Sequence, residues 1–469
     1  MDQQADVIVL GMGTGGEEIA GRLAMAGLEV VGIEPELVGG ECAYWACIPT
    51  KMMVRAAGLL QEGRRINGVA GEARVEPDWA PLAKRIREEA TGDWDDTLAV
   101  KRFQDRGGRF VRGHGRLIGP RAVIVGEHTF TARRGVVVVT GSRPDVPPIP
   151  GLPDVPYWTS RDAVRAPELP GSLLVLGGGT VGCELGQVYS RFGAKVTVLE
   201  RGERLLSAEE PEAGEAVRAA FEAEGVQVRT QASATRVRSD GGLLQVTLEG
   251  GGELAAERLL VAVGRSPNIA DLGLKRAGLD TSSGSIAVDE RMRAGDGIWA
   301  MGDVTGKGLF THVALHQAHL VEADILGRDV PRAPSTGPPA VTFTDPEAAS
   351  VGMREAQARQ AGMDVAVTVK PMQRTFRGWI HGSGNGGLIK LVADRDRGVL
   401  VGATCVGPHA GEVIGLLSAA VQLAIPLADL GRLVYAFPTF YGGVGEALGA
   451  YARALVQVLD PEARPLLLE

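Results

Sequence analysis

Apolar residues along this chain fall into two kinds of run. Asp6–Leu10 is continuously apolar after its first residue, the pattern of a strand buried on both faces rather than one face wet. A glycine-rich turn follows. Glu17–Ala26 then carries apolar positions at helical spacing, and Glu29–Ile33 is a second apolar run ending in Glu34. Together they predict a strand–helix–strand unit. The layout recurs about 165 residues further on: strand Ser172–Leu176, turn Gly177–Gly182, helix Glu184–Phe192 and strand Lys195–Glu200.

Two Pro-rich stretches, Pro147–Pro153 and Pro331–Pro339, have the composition of linkers. Beyond the second, strand-like runs (Leu388–Ala393, Val399–Cys405) alternate with apolar helical runs (Glu412–Leu423, Val444–Leu459). At about 150 residues per domain, 469 residues suggest three parts. The expected fold class is α/β, with two doubly wound dinucleotide-binding domains followed by an α+β domain whose apolar surface suits a subunit interface.

The turns carry candidate chemistry. Gly11, Gly13 and Gly16 form a GxGxxG between strand and helix. Its first glycine permits the tight turn, its second admits a pyrophosphate, and its third lets helix and strand pack closely. The helix N-terminus then faces the phosphates with its positive end. Glu34 ends the next strand, where a carboxylate accepts from ribose hydroxyls. Gly177, Gly179, Gly182 and Glu200 repeat the set. An acid at position 200 favours NADH over the 2′-phosphate of NADPH, while Arg201 and Arg204 directly after it leave NADPH open.

Four cysteines occur, too few for a disulfide scaffold. Cys42 and Cys47 lie in the segment Gly39–Lys51, directly after the first ribose acid, and so near the first cofactor. In a regular helix their spacing gives ~7.5 Å of rise, whereas a disulfide needs Cα atoms within ~7 Å. Bridging them demands an irregular or tightened turn. A helix N-terminus there also lowers a thiol pKa, which suits exchange chemistry. A redox pair, two buried free thiols and half of a zinc site are the readings, the last weakened because no Cys or His cluster elsewhere has matching spacing. No metal site is expected, and Cys183 and Cys405 look structural.

The net charge of −8, with both signs interleaved, argues against nucleic acid or an anionic membrane surface as partner. No basic region precedes an apolar stretch at the N-terminus, and the longest nearly apolar stretch, Ile414–Ile425, is too short to span a bilayer. A soluble, cytoplasmic protein is expected.

These motifs together resemble the class I pyridine nucleotide-disulfide oxidoreductases, which include dihydrolipoyl dehydrogenase, glutathione reductase and mercuric reductase. Gly39–Lys51 resembles their redox-active disulfide motif. Thr140-Gly141-Ser-Arg-Pro144 resembles the close of the first FAD segment, Gly264-Arg-Ser-Pro-Asn268 the return from the NAD domain, and Met301-Gly-Asp303-Val304 the second FAD motif, whose acid binds the ribitol. Val341–Gly352 and Gly407–Glu412 resemble the interface domain. The resemblance implies FAD and NADH as cofactors, a small-molecule acceptor and a homodimer. It implies Cys47 as the flavin-facing thiol, Cys42 as the exchange thiol, and Lys51 near the flavin, paired with Glu184. It also implies an FAD-binding domain of residues 1–146 and 266–334, an NAD(P)-binding domain of 147–265 and a dimerisation domain of 335–469.

The C-terminal motif departs from the family. There a His-Pro-Thr, with Glu five residues after the His, supplies the acid–base dyad of thiol–disulfide exchange. Here Phe437 stands at the His position and Gly442 at the Glu position. Phenylalanine carries no proton, and general acid–base help is worth roughly 10²–10⁴-fold. Transfer as far as the cysteine pair needs no such base. Tyr441, His312 and Glu446 are candidate substitutes. Otherwise the acceptor, a quinone or metal ion, needs no protonation of a leaving thiol. The 2-ketopropyl coenzyme M carboxylase branch also carries Phe at this position, though with a His where Gly442 stands. A redox sensor without turnover is the non-enzyme alternative. Phe437–Pro438 is a candidate cis peptide, and the tail Asp460–Glu469 contains no further cysteine pair.

Overall fold

The computed structural model describes residues 2–329 and 337–449. Residues 331–336 of the second Pro-rich linker, 450–459 of the last helical run and the tail 460–469 lie outside the described residues.

The first sheet is built on four parallel strands: β1 (Asp2–Leu10), β2 (Val30–Glu34), β3 (Arg109–Arg112) and β4 (His128–Val138), in the order β3-β2-β1-β4. A short strand, Ile298–Ala300, adds to β4 in parallel. Val7–Leu10 and Val30–Ile33 are buried, as a strand covered on both faces requires. β1 starts four residues before its apolar run, because Asp2–Ala5 continue the ladder with β4. Helix α1 (Thr14–Met25) likewise starts three residues before the apolar spacing, since Gly15 and Gly16 are already helical. Two further helices, α2 (Gly40–Tyr44) and α3 (Cys47–Arg65), carry the cysteine pair.

The second sheet is β5 (Ser172–Leu176), β6 (Lys195–Leu199), β7 (Gln227–Arg229) and β8 (Arg258–Val261), parallel in the order β7-β6-β5-β8. Helix α4 (Thr180–Phe192) follows β5. The chain enters and leaves this unit through two short strands, Ser142–Pro144 and Arg265–Pro267, paired antiparallel. α3 from the first unit packs on α4 from the second: Met53 and Ala57 share a core with Cys183, Val188 and Tyr189. Helix α5 (Thr311–Ile325) returns to the first unit, where Ala318 and Val321 pack with Ile19 and Leu23 of α1.

The third sheet is antiparallel: β9 (Ala340–Thr342), β10 (Glu347–Gly352), β11 (Val365–Pro371), β12 (Leu388–Asp394) and β13 (Val399–Gly407), in the order β9-β10-β13-β12-β11. Helix α6 (Ala410–Gln422) covers it, and residues 442–449 are helical. Two parallel units and one antiparallel unit with helices realise the expected α/β class. No helix among the described residues is long and apolar enough to cross a membrane.

Candidate active site

Gly11 takes φ +93°, and a Cβ there would lie 2.4 Å from the Val139 carbonyl oxygen, so only glycine fits the turn. Gly16 packs on Gly11. α1 has Gly13 as its N-cap and no side chain capping its first turn, which leaves the backbone N–H groups free for an anion. Glu34 is buried and accepts the N–H groups of Met12 (2.7 Å) and Glu36 (2.9 Å). Burial pushes its carboxyl up, and the two N–H donors oppose that. The cradle opens into a cleft of ≈ 690 Å³ lined by Gly11, Gly13, Glu34, Cys42, Cys47, Lys51, Thr140, Gly141, Glu184 and Asp303. Asp303 accepts from Ser142 Oγ at 2.6 Å, which in turn accepts from Arg265 Nε at 2.8 Å. Thr140 Oγ1 donates to the Asn268 carbonyl at 2.7 Å, tying the entry and return segments together. An uncapped phosphate cradle, a ribose acid and a second acid along one elongated cleft fit a dinucleotide such as FAD.

The two cysteines meet because the helix breaks between them. α2 closes on the Glu41 carbonyl, which accepts from Trp45 N (2.8 Å) and Ala46 N (2.7 Å). Ala46 then leaves helical geometry (φ −134°, ψ −100°), and Cys47 opens α3. This is the kind of irregular turn that a bridge between cysteines at this spacing demands. Gly40 fixes where the pair sits: a Cβ on it would lie 2.8 Å from Gly13 Cα, so the cysteine segment lies directly on the phosphate cradle. Cys42 and Cys47 are free thiols that line one cleft as neighbours, each governing the ionisation of the other. Once one sulfur ionises, the other S–H donates to it, so the pair loses its protons in two steps. That bond brings Cys42 down to about 6 against the opposing effect of burial, helped by Thr311, Thr14 and the Lys51 charge. The same bond, then burial, pushes Cys47 up. Cys47 Sγ stands 3.3 Å from Thr311 Oγ1, the first residue of α5. Sequence reasoning missed Thr311, which no short-range signal links to the cysteines.

Lys51 follows Cys47 by four residues, on the same face of α3. Its Nζ lies 2.6 Å from Glu184 Oε2 of α4 and 5.0 Å from the centre of the Phe343 ring. Glu184 Oε1 accepts the Phe343 N–H at 2.8 Å. The Lys51–Glu184 pair implied by resemblance is therefore present, with Phe343 as an unanticipated third member.

The second cradle repeats the first. Gly177 takes φ +107° against the Ala262 carbonyl, Gly182 packs on Gly177, and Gly179 caps α4 without a side-chain hydrogen bond. Glu200 accepts from Gly178 N at 2.7 Å and Gly202 N at 2.6 Å. Arg201 is exposed beside it. Gly264 (φ +148°) directly precedes the return strand, its carbonyl accepting from Asp145 N at 3.0 Å. None of Gly177, Gly179, Gly182, Glu200, Arg201 or Gly264 lines the cleft of the cysteines.

Phe437 is also outside that cleft. It is 73% exposed, meets Phe376 edge-on at 5.1 Å, and precedes Pro438 through a cis peptide. The three candidate proton carriers are all engaged elsewhere. Tyr441 OH accepts the Ala436 N–H at 2.8 Å. Glu446 accepts from Phe376 N and lies 3.4 Å from Lys370 Nζ. His312 Nε2 lies 2.8 Å from the Pro339 carbonyl oxygen. Cys183 and Cys405 are fully buried, and burial pushes both thiols up, Cys405 to about 12.

Two dinucleotide cradles, one of them opening onto a dithiol, define a two-nucleotide redox enzyme. The chain belongs to the pyridine nucleotide-disulphide oxidoreductase family. Residues 5–318 match the model of that description, and residues 338–448 match the family's dimerisation domain. It is 35% identical over 473 residues to a dihydrolipoyl dehydrogenase of Thermus scotoductus, covering 97% of this chain and 99% of that protein. It is 33% identical over 466 residues to a mercuric reductase of Acidithiobacillus ferrooxidans, covering 97% of this chain and 84% of that protein. Among solved structures it is similar to the HOCl-induced flavoprotein disulfide reductase RclA from Escherichia coli, with a TM-score of 0.84 and 27% identity over 95% of this chain and 99% of that one. LpdA from Mycobacterium tuberculosis gives 0.83 and 26%, over 96% and 99%. The protein is accordingly an FAD-dependent oxidoreductase that uses NAD(P)H.

Proposed function

We propose that this enzyme passes an electron pair from NADH, through FAD, to a Cys42–Cys47 disulfide, opening it to the dithiol seen here, and on to a small-molecule acceptor that takes the pair, closes the disulfide and needs no acid–base histidine. The observation that carries this is that Cys42 and Cys47 both line the cleft of the first glycine cradle, beside Lys51. The bound flavin supplies a carrier that takes hydride from NADH and delivers electrons to sulfur.

The chain's own residues do the rest. Gly11, Gly13 and the open first turn of α1 hold the pyrophosphate, Glu34 the ribose and Asp303 the ribitol. Cys47 faces the flavin, and Cys42 meets the acceptor as a thiolate. Lys51, fixed by Glu184, keeps a positive charge beside the sulfurs. The cradle of Gly177, Gly179 and Gly182 with Glu200 binds NADH, and Arg201 leaves NADPH as a weaker alternative. Division into residues 1–146 with 266–334, 147–265 and 335–469 assigns FAD, pyridine nucleotide and dimer contact to the three sheets.

Phe437 cannot protonate a leaving thiol, and Tyr441, Glu446 and His312 already serve other contacts. That favours quinones or metal ions as acceptors over lipoamide-type disulfides. Phe437, Phe376 (57% exposed) and Trp379 (74% exposed) give the third unit an apolar aromatic surface that a second copy covers in a homodimer.

An anaerobic NADH titration tests the dithiol route, followed by an acceptor screen of wild type beside Cys42→Ser. In wild type a long-wavelength thiolate–flavin absorbance band is expected to grow in only as the pH rises far enough to ionise the flavin-facing Cys47 as well as Cys42. Quinone reduction unchanged in Cys42→Ser would remove the dithiol from that path. If no acceptor is reduced faster than oxygen, the carboxylase-like or sensor alternatives replace this one.

A further inference from the structure

We propose that Phe343 is a positioning residue for Lys51, its ring face and its backbone N–H together holding the ammonium beside the dithiol. This rests on the role given above to Lys51.

Phe343 follows β9 in the third unit, whereas Lys51 belongs to the first unit and Glu184 to the second. All three meet at one point. Glu184 is a two-sided bracket: Oε2 accepts from Lys51 Nζ at 2.6 Å and Oε1 from Phe343 N at 2.8 Å. The Phe343 ring closes the third side, with Nζ 5.0 Å from its centre, within cation–π range. The remaining contact of the ammonium is a long one, Thr50 Oγ1 at 3.4 Å. The Lys51 side chain is 36% exposed, so the bracket and the ring are what stop the charge from turning into solvent.

Phe343 is itself held from α4. Gln187 Nε2 donates to the Asp345 carbonyl at 2.8 Å, and Asp345 N donates to Gln187 Oε1 at 2.8 Å. Arg191 Nη2 lies 2.9 Å from Asp345 Oδ2, and Arg65 of α3 reaches the same oxygen at 2.9 Å. Glu184, Gln187 and Arg191 fall at i, i+3 and i+7, one face of α4 gripping the 343–345 segment. The ring is therefore placed by the same helix that places the carboxylate. Any residue except proline supplies the N–H to Glu184, but only an aromatic supplies the face.

The charge matters because it reaches the sulfurs. Facing the thiols are Lys51 from α3, Thr14 from α1 and Thr311 from α5; facing Lys51 is Glu184 from α4. Lys51 favours thiolate at both cysteines, and an ammonium that swings away withdraws that help.

The test is the pH profile of iodoacetamide alkylation of the anaerobically reduced holoenzyme, for wild type, Lys51→Met, Phe343→Leu, Phe343→Tyr, and 3,4,5-trifluorophenylalanine at position 343. Lys51→Met is expected to move the midpoint up. Phe343→Leu should move it the same way by a smaller amount than Lys51→Met does, since the ring acts on the thiols only through the ammonium, and Phe343→Tyr should leave it in place. The trifluoro ring keeps the shape and drains the face of charge, so a partial upward shift is expected; it decides the matter even if Phe343→Leu loses FAD. Wild-type midpoints in the trifluoro variant, with Lys51→Met shifted, would overturn the role of Phe343. A wild-type midpoint in Lys51→Met would instead overturn the role of Lys51 itself.

Discussion

Glu200 repeats Glu34 bond for bond. On Oε2 each accepts, at 2.7 Å, the N–H of a residue 22 positions earlier, Met12 for Glu34 and Gly178 for Glu200. On Oε1 each accepts the N–H two residues later, from Glu36 at 2.9 Å and Gly202 at 2.6 Å. Backbone donors thus orient both carboxylates before any ribose arrives.

Replacing Glu200 by Gln sets an amide NH₂ against one of those N–H groups and removes the charge that repels a 2′-phosphate. The KM for NADH should rise about tenfold, a cost of ~1.4 kcal/mol for the weakened contacts. Discrimination against NADPH should shrink. Steady-state kinetics with both nucleotides measure this, and an unchanged ratio of specificities would exclude Glu200 from the choice.

The thiol–thiol bond brings Cys42 down to about 6. Its thiolate is present above that pH and is lost as the pH falls through it. Alkylation of the reduced enzyme should therefore climb through pH ~6. In Cys47→Ala the donor is gone, and the midpoint should move up toward the ordinary thiol value of ~8.5. A midpoint that stays put would show that Cys47 does not donate to Cys42.

Restoring the dyad with Phe437→His and Gly442→Glu should raise turnover of a small disulfide substrate by ~10-fold or more, within the range of general acid–base catalysis. Because Phe437 does not line the cleft of its own chain, the dyad would act from a second copy; NADH reduction of the flavin should not change, since that step protonates no leaving thiol. Thr439 must yield slightly, since a Cβ at position 442 would lie 3.0 Å from its Oγ1. Unimproved disulfide turnover in a well-folded variant would show that the loss at 437 and 442 does not limit this reaction.

Lys390 is buried beside Glu210 (3.1 Å), Glu212 (2.8 Å) and Glu355 (3.0 Å), joining the second and third units. Burial opposes its charge, but the three carboxylates win and its pKa rises above 10.5. The stabilisation it gives is full below the unfolded value and is lost only as the pH climbs through the raised folded one. Lys390→Met strands Glu210 and should cost ~3–5 kcal/mol, seen as a lower Tm. Adding Glu210→Gln should recover part of it, and an unmoved Tm in the single variant would refute the coupling.

Residues close in sequence made much of the site legible. Gly11 to Glu34 and Gly177 to Glu200 each complete a cradle within one strand–helix–strand unit. Such a unit declares itself through local geometry, because glycine at a left-handed turn and an apolar run in a parallel strand have few other uses. The break between Cys42 and Cys47 was likewise legible as what a bridge at that spacing requires. Contacts across units were not legible from spacing: Thr311 beside Cys47, Phe343 beneath Lys51, and Lys390 among three glutamates.

By itself, then, the sequence determined the class of fold and proposed the two nucleotide cradles and the reactive pair, which follow from which groups can turn, pack or exchange electrons, while its resemblance to the family marked Phe437 and Gly442 as standing where a His-Glu dyad is expected. Only the tertiary structure decided that three separate units converge on the Lys51 ammonium, and that Tyr441, Glu446 and His312 are already engaged. Those outcomes depend on how α3, α4 and the 343–345 segment dock. Docking is set by many small packing contacts between residues far apart in the chain, and no short stretch of sequence records it.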